Sequence, residues 1–148
     1  MVWFTMKVAH SRLAYGLAFA GALPFMAAIG LVAFNWQADR AITFALTYGA
    51  VIIAFLSGIH WAVFLFRPVE CPQNLFVISN VTALIGWFAI ALPSWLCFLV
   101  QSACFLYLLM IDRSLVRADL LPDWFWKLRC RITSVVAVSL IVLAALTA

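Results

Sequence analysis

One imidazole lies inside a long apolar run of this chain: His60, in Phe55-Leu56-Ser57-Gly58-Ile59-His60-Trp61. An ionisable group in such surroundings is costly unless it is partnered, so it marks a functional hypothesis by default. Histidine also titrates near neutral pH. The sequence offers Ser57 one turn away, Ser79, Asn80 and Thr82 on the following apolar run, and Tyr107 on the next, all expected towards the same leaflet. A shared polar cluster could bind a proton, ligand or cofactor. Its structural counterpart is a neutral His60 bonded to Asn80 or Ser79, which ties helices together for about 0.6–2 kcal/mol per bond. Haem would require His10 and His60 as an axial pair. His10 lies outside the apolar run and no second imidazole lies within one, so no cofactor is assigned.

Other catalytic constellations are missing from the sequence. No Ser-His-Asp arrangement, phosphate loop or dinucleotide fingerprint occurs. The five carboxylates are expected in loops or at helix ends, which leaves no ligand cluster for metal hydrolysis. Cys71, Cys97, Cys104 and Cys130 lack C-x-x-C spacing and read as packing residues or free thiols. Gln101 sits mid-run and is expected to bond across helices, while Asp112 is expected to close the fourth helix and pair with a nearby arginine. These readings assign no catalytic residue, and the chain is not expected to be an enzyme.

The elements that position these residues follow from composition. Hydrophobic residues make up 68% of the 148 and charged ones 9%, more apolar material than one soluble core needs. Charge-free stretches run over 13–34, 42–66, 75–92, 94–111 and 132–147, each near the ~20 apolar residues of a spanning helix. The run 75–111 would be ~55 Å long as one helix, nearly twice the ~30 Å hydrocarbon core, so it must turn at Leu92-Pro93-Ser94. The last stretch is the shortest and is expected to span with Arg129 and Arg131 snorkelling. Isolated strands would leave backbone groups unpaired in lipid. The expected fold class is all-α: a polytopic integral membrane protein of five transmembrane helices forming one domain over 1–148.

Orientation follows from basic residues, which are retained on the cytoplasmic side. Five spans put Lys7, Arg12, Arg67, Arg113, Arg117, Lys127, Arg129 and Arg131 on one side and Arg40 alone on the other. The amino terminus should therefore be cytoplasmic, as a short tail over Met1–Ser11 whose Trp3 and Phe4 touch the interface. The net charge of +4 is a topology signal, and nucleic acid is not expected as a partner. A cytoplasmic interfacial loop is expected over 112–131, with Trp124, Trp126, Lys127, Arg129 and Arg131 contacting anionic lipid or a protein partner.

Helix packing is expected along Ala50, Ala54, Gly58 and Ala62, a small-residue stripe that admits a second backbone. His60 points ~200° away from that stripe, so both faces of the second span should be covered and this helix should be central. In the first span, Gly21 and Pro24 suit close packing and a kink whose freed carbonyl is satisfied by neighbours.

Five landmarks occur in order: Gly21-Ala22-Leu23-Pro24-Phe25, Tyr48-Gly49-Ala50, the Phe55–Trp61 segment, Leu84-Ile85-Gly86-Trp87, and Pro122-Asp123-Trp124-Phe125 with Leu128-Arg129 and Thr133. Together they resemble the uncharacterised transmembrane protein 69 family, domain of unknown function 3429, over roughly Leu13 to Leu140. The resemblance implies five spans and a bacterial inner membrane, or a mitochondrial membrane in a eukaryote. It carries over no functional residue. Ala62 stands where glycine commonly follows the tryptophan, and Thr82 where proline is common. Length, span number and seven tryptophans are also similar to the tryptophan-rich sensory protein family, whose Trp-x-Pro-Pro loop is missing here, so only the architecture is shared. The expected function is that of an interaction, scaffold or accessory/assembly protein whose partners are membrane lipids and another membrane protein or a second copy. The alternative is small-molecule or cofactor binding or permeation at the polar site around His60.

Overall fold

The computed structural model describes residues 8–148, with side chains from residue 12 onward. Trp3, Phe4, Lys7 and the His10 side chain lie outside the described residues. The described chain is all-helical and follows the apolar pattern, with two corrections to the expected element bounds.

The first apolar run is not one rod. It divides into α1 (Val8–Ala20) and α2 (Leu23–Ala33), with Pro24 in the first turn of α2, where its missing N–H costs least. The Phe25 amide bonds Ala22 O at 3.1 Å instead of reaching Gly21 O. The Tyr48 hydroxyl from α3 donates to that freed Gly21 carbonyl at 2.9 Å, so the expected kink and its satisfaction by a neighbour are both present. The α2 helix closes in a Schellman motif: Asn35 adopts φ 52°, the Trp36 amide reaches Leu31 O at 2.9 Å and the Asn35 amide reaches Val32 O at 3.0 Å.

Helix α3 (Ala38–Phe66) has 29 residues, ~44 Å at the helical rise, and so exceeds the hydrocarbon thickness. Helix α4 (Leu75–Phe88) starts at Asn74, whose side chain accepts from the Val77 amide. It passes through a 3-10 turn (Ala89–Ala91) into extended Leu92, the conformation favoured before proline. The break therefore falls at Leu92-Pro93-Ser94, and α5 begins at Ser94.

The second correction concerns the expected loop over 112–131. Helix α5 (Ser94–Arg117) runs past Ile111, and α6 (Asp123–Leu146) starts nine residues before Ile132. Only 118–122 connects them. Asp119 takes φ 54°, the Leu120 amide reaches Leu115 O at 2.9 Å, and Leu120 packs on Leu115, which ends α5 in a second Schellman motif. Pro122 then precedes the first turn of α6, with its carbonyl accepting from Phe125 at 3.0 Å. The last helix is consequently 24 residues long and needs no thinned bilayer.

Four elements are long and apolar enough to cross a membrane: the broken 12–33 segment, α3, α5 and α6. Leu75–Ala91 is apolar but shorter, near the lower limit for a span. Helices α3 and α4 form one antiparallel hairpin and α5 and α6 another, with α2 packed against α3 and α6. Phe25, Ile53, Phe98, Phe105, Leu108 and Leu140 fill the centre, while the perimeter exposes Phe44, Phe55, Val77, Met110 and Val138. Apolar residues inside and outside together describe an integral membrane bundle.

Candidate functional site: a buried ionic triad

Each polar residue is placed by its helix register. His60 lies six residues before the end of α3, Asp112 five before the end of α5, and Arg129 six after the start of α6. The two hairpins bring these ends to the same side of the bundle, so the three residues sit at one depth, ~8–9 Å from their helix ends. Their exposures are 1%, 1% and 5%. His60 Nε2 lies 2.8 Å from Asp112 Oδ1, and Arg129 Nε donates to Asp112 Oδ2 at 2.6 Å. One carboxylate thus joins three helices. Because the carboxylate accepts on both oxygens, His60 donates from Nε2–H, and in the neutral imidazole Nδ1 is then an acceptor.

The charges of Asp112 and Arg129 cancel, which is the condition for holding either inside an apolar bundle. Removal of one partner would strand the other, at about 3–5 kcal/mol. The triad is first of all a clamp.

Four buried polar atoms border this clamp without a protein hydrogen-bond partner among the described residues: Ser57 Oγ, His60 Nδ1, Arg129 Nη2 and Thr133 Oγ1. Ser57 lies one turn below His60 on α3, and Thr133 one turn below Arg129 on α6. An unsatisfied buried group costs about 1–3 kcal/mol, so four together would rival the about 5–15 kcal/mol stability of a whole domain.

Several residues expected around His60 are placed elsewhere. Ser79 and Thr82 are buried, but their hydroxyls bond back to Leu75 O at 2.6 Å and Ile78 O at 2.8 Å in their own helix. Asn80 is exposed and donates from Nδ2 to Phe76 O at 2.7 Å, because it stands ~100° round the helix from Ser79. Tyr107 is exposed as well. Of the expected set, only Ser57 shares the buried face with His60.

The expected cytoplasmic surface also divides. Lys127 and Arg131 are exposed and Trp124 and Trp126 half-buried, whereas Arg129 turns inward to Asp112 rather than snorkelling outward. Helix α1 covers part of this surface: the Tyr15 hydroxyl lies 3.5 Å from Trp124 O and the Arg131 guanidinium 6.0 Å from the Tyr15 ring centre. In the α3–α4 connection, Arg67 grips Glu70 through Nε at 2.7 Å and Nη2 at 2.6 Å. The hydrogen bond from Arg67 is the main reason the Glu70 carboxyl is held below the usual range.

The small-residue stripe is the third correction. Ala50 is buried, but Ala54, Gly58 and Ala62 are exposed, and a Cβ on Gly58 would meet nothing within 4 Å. The close approach occurs at Gly49, where a Cβ would collide with the Gln101 carboxamide. Gln101 Nε2 donates to Leu46 O at 2.8 Å, the cross-helix bond expected of it. Gly21 is half-buried beneath Tyr48, and Pro24 is exposed.

Two surface hollows lie away from His60. One is apolar and lined by Ile85, Phe88, Leu92 and Val100, the other by Asp39, Arg40, Thr43 and Thr47. Among the described residues, no three His, Cys, Asp or Glu side chains converge as metal ligands.

A family model described as a protein of unknown function (DUF3429) matches residues 10–145, and the chain belongs to that family. The match carries the domain designation and not the transmembrane protein 69 name. No curated protein and no solved structure matches.

Proposed function

We propose that this member of the DUF3429 family is a non-enzymatic membrane protein that works by association, as a scaffold or accessory/assembly subunit for another membrane-spanning chain or a second copy. The observation that carries the reading is a polar group on the perimeter beside an open backbone. The Trp61 and Phe76 rings meet at a 39° tilt with centres 4.4 Å apart, and Ile53 packs against Gly86, a register that sets Gly58 level with Asn80. Asn80 lies one turn beyond Phe76 and Gly58 one turn before Trp61, so both border the outer seam of α3 and α4. Between lipid-exposed helices, such an amide gains from a cross-helix hydrogen bond, and a glycine lets the second backbone approach. The buried triad would fix α3, one of the two presenting helices, to the α5–α6 hairpin.

In this reading the protein occupies a bacterial inner membrane, or a mitochondrial membrane in a eukaryote, with the triad end of the bundle in the cytoplasmic leaflet. Basic residues support that orientation: Arg67, Arg113, Arg117, Lys127 and Arg131 lie at that end and Arg40 at the other.

Cysteine crosslinking in native membranes tests association. Gly58→Cys and Ala54→Cys should trap a membrane partner or a second copy, while Val138→Cys on the exposed face of α6 should not. Equal labelling of all three with no crosslinked product, together with a solitary monomer in mild detergent, would overturn the proposal.

A further inference from the structure

Most hydroxyls on these helices bond to their own backbone, and the two beside the triad do not. Thr43, Thr47, Ser79, Thr82, Ser134, Ser139 and Thr147 each donate to the carbonyl four residues earlier in their own helix. That is the default for a helical hydroxyl in apolar surroundings. Ser57 and Thr133 make no such bond, although both are almost fully buried. Their hydroxyls stand on the two helix faces that Asp112 joins, one turn from His60 Nδ1 and Arg129 Nη2, which are also without a protein partner.

We propose that α3, α5 and α6 enclose an internal hydration site, in which water is shared by Arg129 Nη2, His60 Nδ1 and the Ser57 and Thr133 hydroxyls. The chemistry of the four groups selects the ligand. Arg129 Nη2 can only donate and so needs an acceptor. A neutral His60, with its Nε2–H committed to Asp112, presents a lone pair at Nδ1 and needs a donor. A halide cannot supply a proton to that lone pair, and Asp112 already cancels the charge of Arg129. Water donates and accepts at once, and buried waters characteristically bridge two to four such groups. The site lies on the inward face of α3, opposite Gly58, and is independent of the proposed association surface.

Water-to-protein magnetisation transfer in NMR on the full chain, histidine-labelled and held in lipid nanodiscs, tests the site. A His10→Gln background removes the other histidine signal. The expected result is a His60 ring protonated at Nε2, with a water cross-peak that Ser57→Ala with Thr133→Val abolishes. Replacing chloride with gluconate should leave the signals in place. Absence of a water cross-peak in the unsubstituted chain would overturn the proposal, as would saturable chloride-dependent shifts at His60, which would assign the site to an anion.

Discussion

Asp112 makes two buried bonds where His60 makes one, and this difference orders the consequences of removing them. His60→Ala leaves the Asp112–Arg129 pair intact and deletes a single cross-helix bond, so thermal unfolding in detergent should show a loss of about 0.6–1.7 kcal/mol. A loss as large as that of an Asp112 substitution would show that His60, not the ion pair, is the anchor. Gly49→Val should cost about 1–3 kcal/mol by overpacking against Gln101, with part of the loss recovered on adding Gln101→Ala. Failure of that second substitution to recover any stability would remove Gln101 as the cause. His60 was legible in the sequence as the lone imidazole of an apolar run. Its partner was not, because Asp112 was expected at a helix end. Yet Asp112 and Arg129 stand nearly equidistant from Leu120-Leu121, so a five-residue turn there sets them at one depth. The Pro122-Asp123 helix start was the available clue. Asn80 was misplaced for a different reason: Ser79, Thr82 and Gly86 already define the inward face of α4 at three- and four-residue spacing, and Asn80 cannot share it.

At the scale of elements, the breaks in the helices are fixed by local chemistry. Pro93 was readable as a break and Pro24 as a kink, because proline kinks or ends a helix and suits a helix's first turn. The Schellman ends at Asn35 and Asp119 were harder to read, since neither position carries the glycine that usually marks a left-handed cap. Missing the second of them is what inflated the expected loop over 112–131. The connection now identified gives a direct forecast. In hydrogen exchange, amides from Leu128 onward should be as protected as the middle of α5, while the Leu121 amide, which has no backbone partner in the connection, exchanges quickly. Rapid exchange across 123–131 would restore the interfacial loop. The α1–α2 break gives a second forecast. Tyr48→Phe removes the donor to Gly21 O and should cost about 0.5–1.5 kcal/mol, with the new exchange localised to Ala20–Phe25. An unchanged unfolding transition would mean that the break needs no support from α3.

For the whole molecule, composition and charge fixed the class of fold, and register fixed the site. Apolar residues cover both the core and the perimeter of the bundle, which is why periodicity announced spans but not which faces meet. The small residues of α3 show this most clearly. Ala54, Gly58 and Ala62 have the spacing of a packing stripe, but Ala45, Leu46, Gly49, Ile53, Leu56, Ser57 and His60 form the face that the chain itself covers. The association reading depends on a rigid bundle behind that uncovered strip, and rigidity depends on one carboxylate binding α3 to the α5–α6 hairpin. The most direct test is an unfolding cycle in mild detergent with Asp112→Leu, Arg129→Met and the double variant. The account predicts that each single variant loses about 3–5 kcal/mol through a stranded buried charge and that the double variant recovers most of it. Single variants as stable as the unsubstituted protein, or losses that simply add, would contradict it.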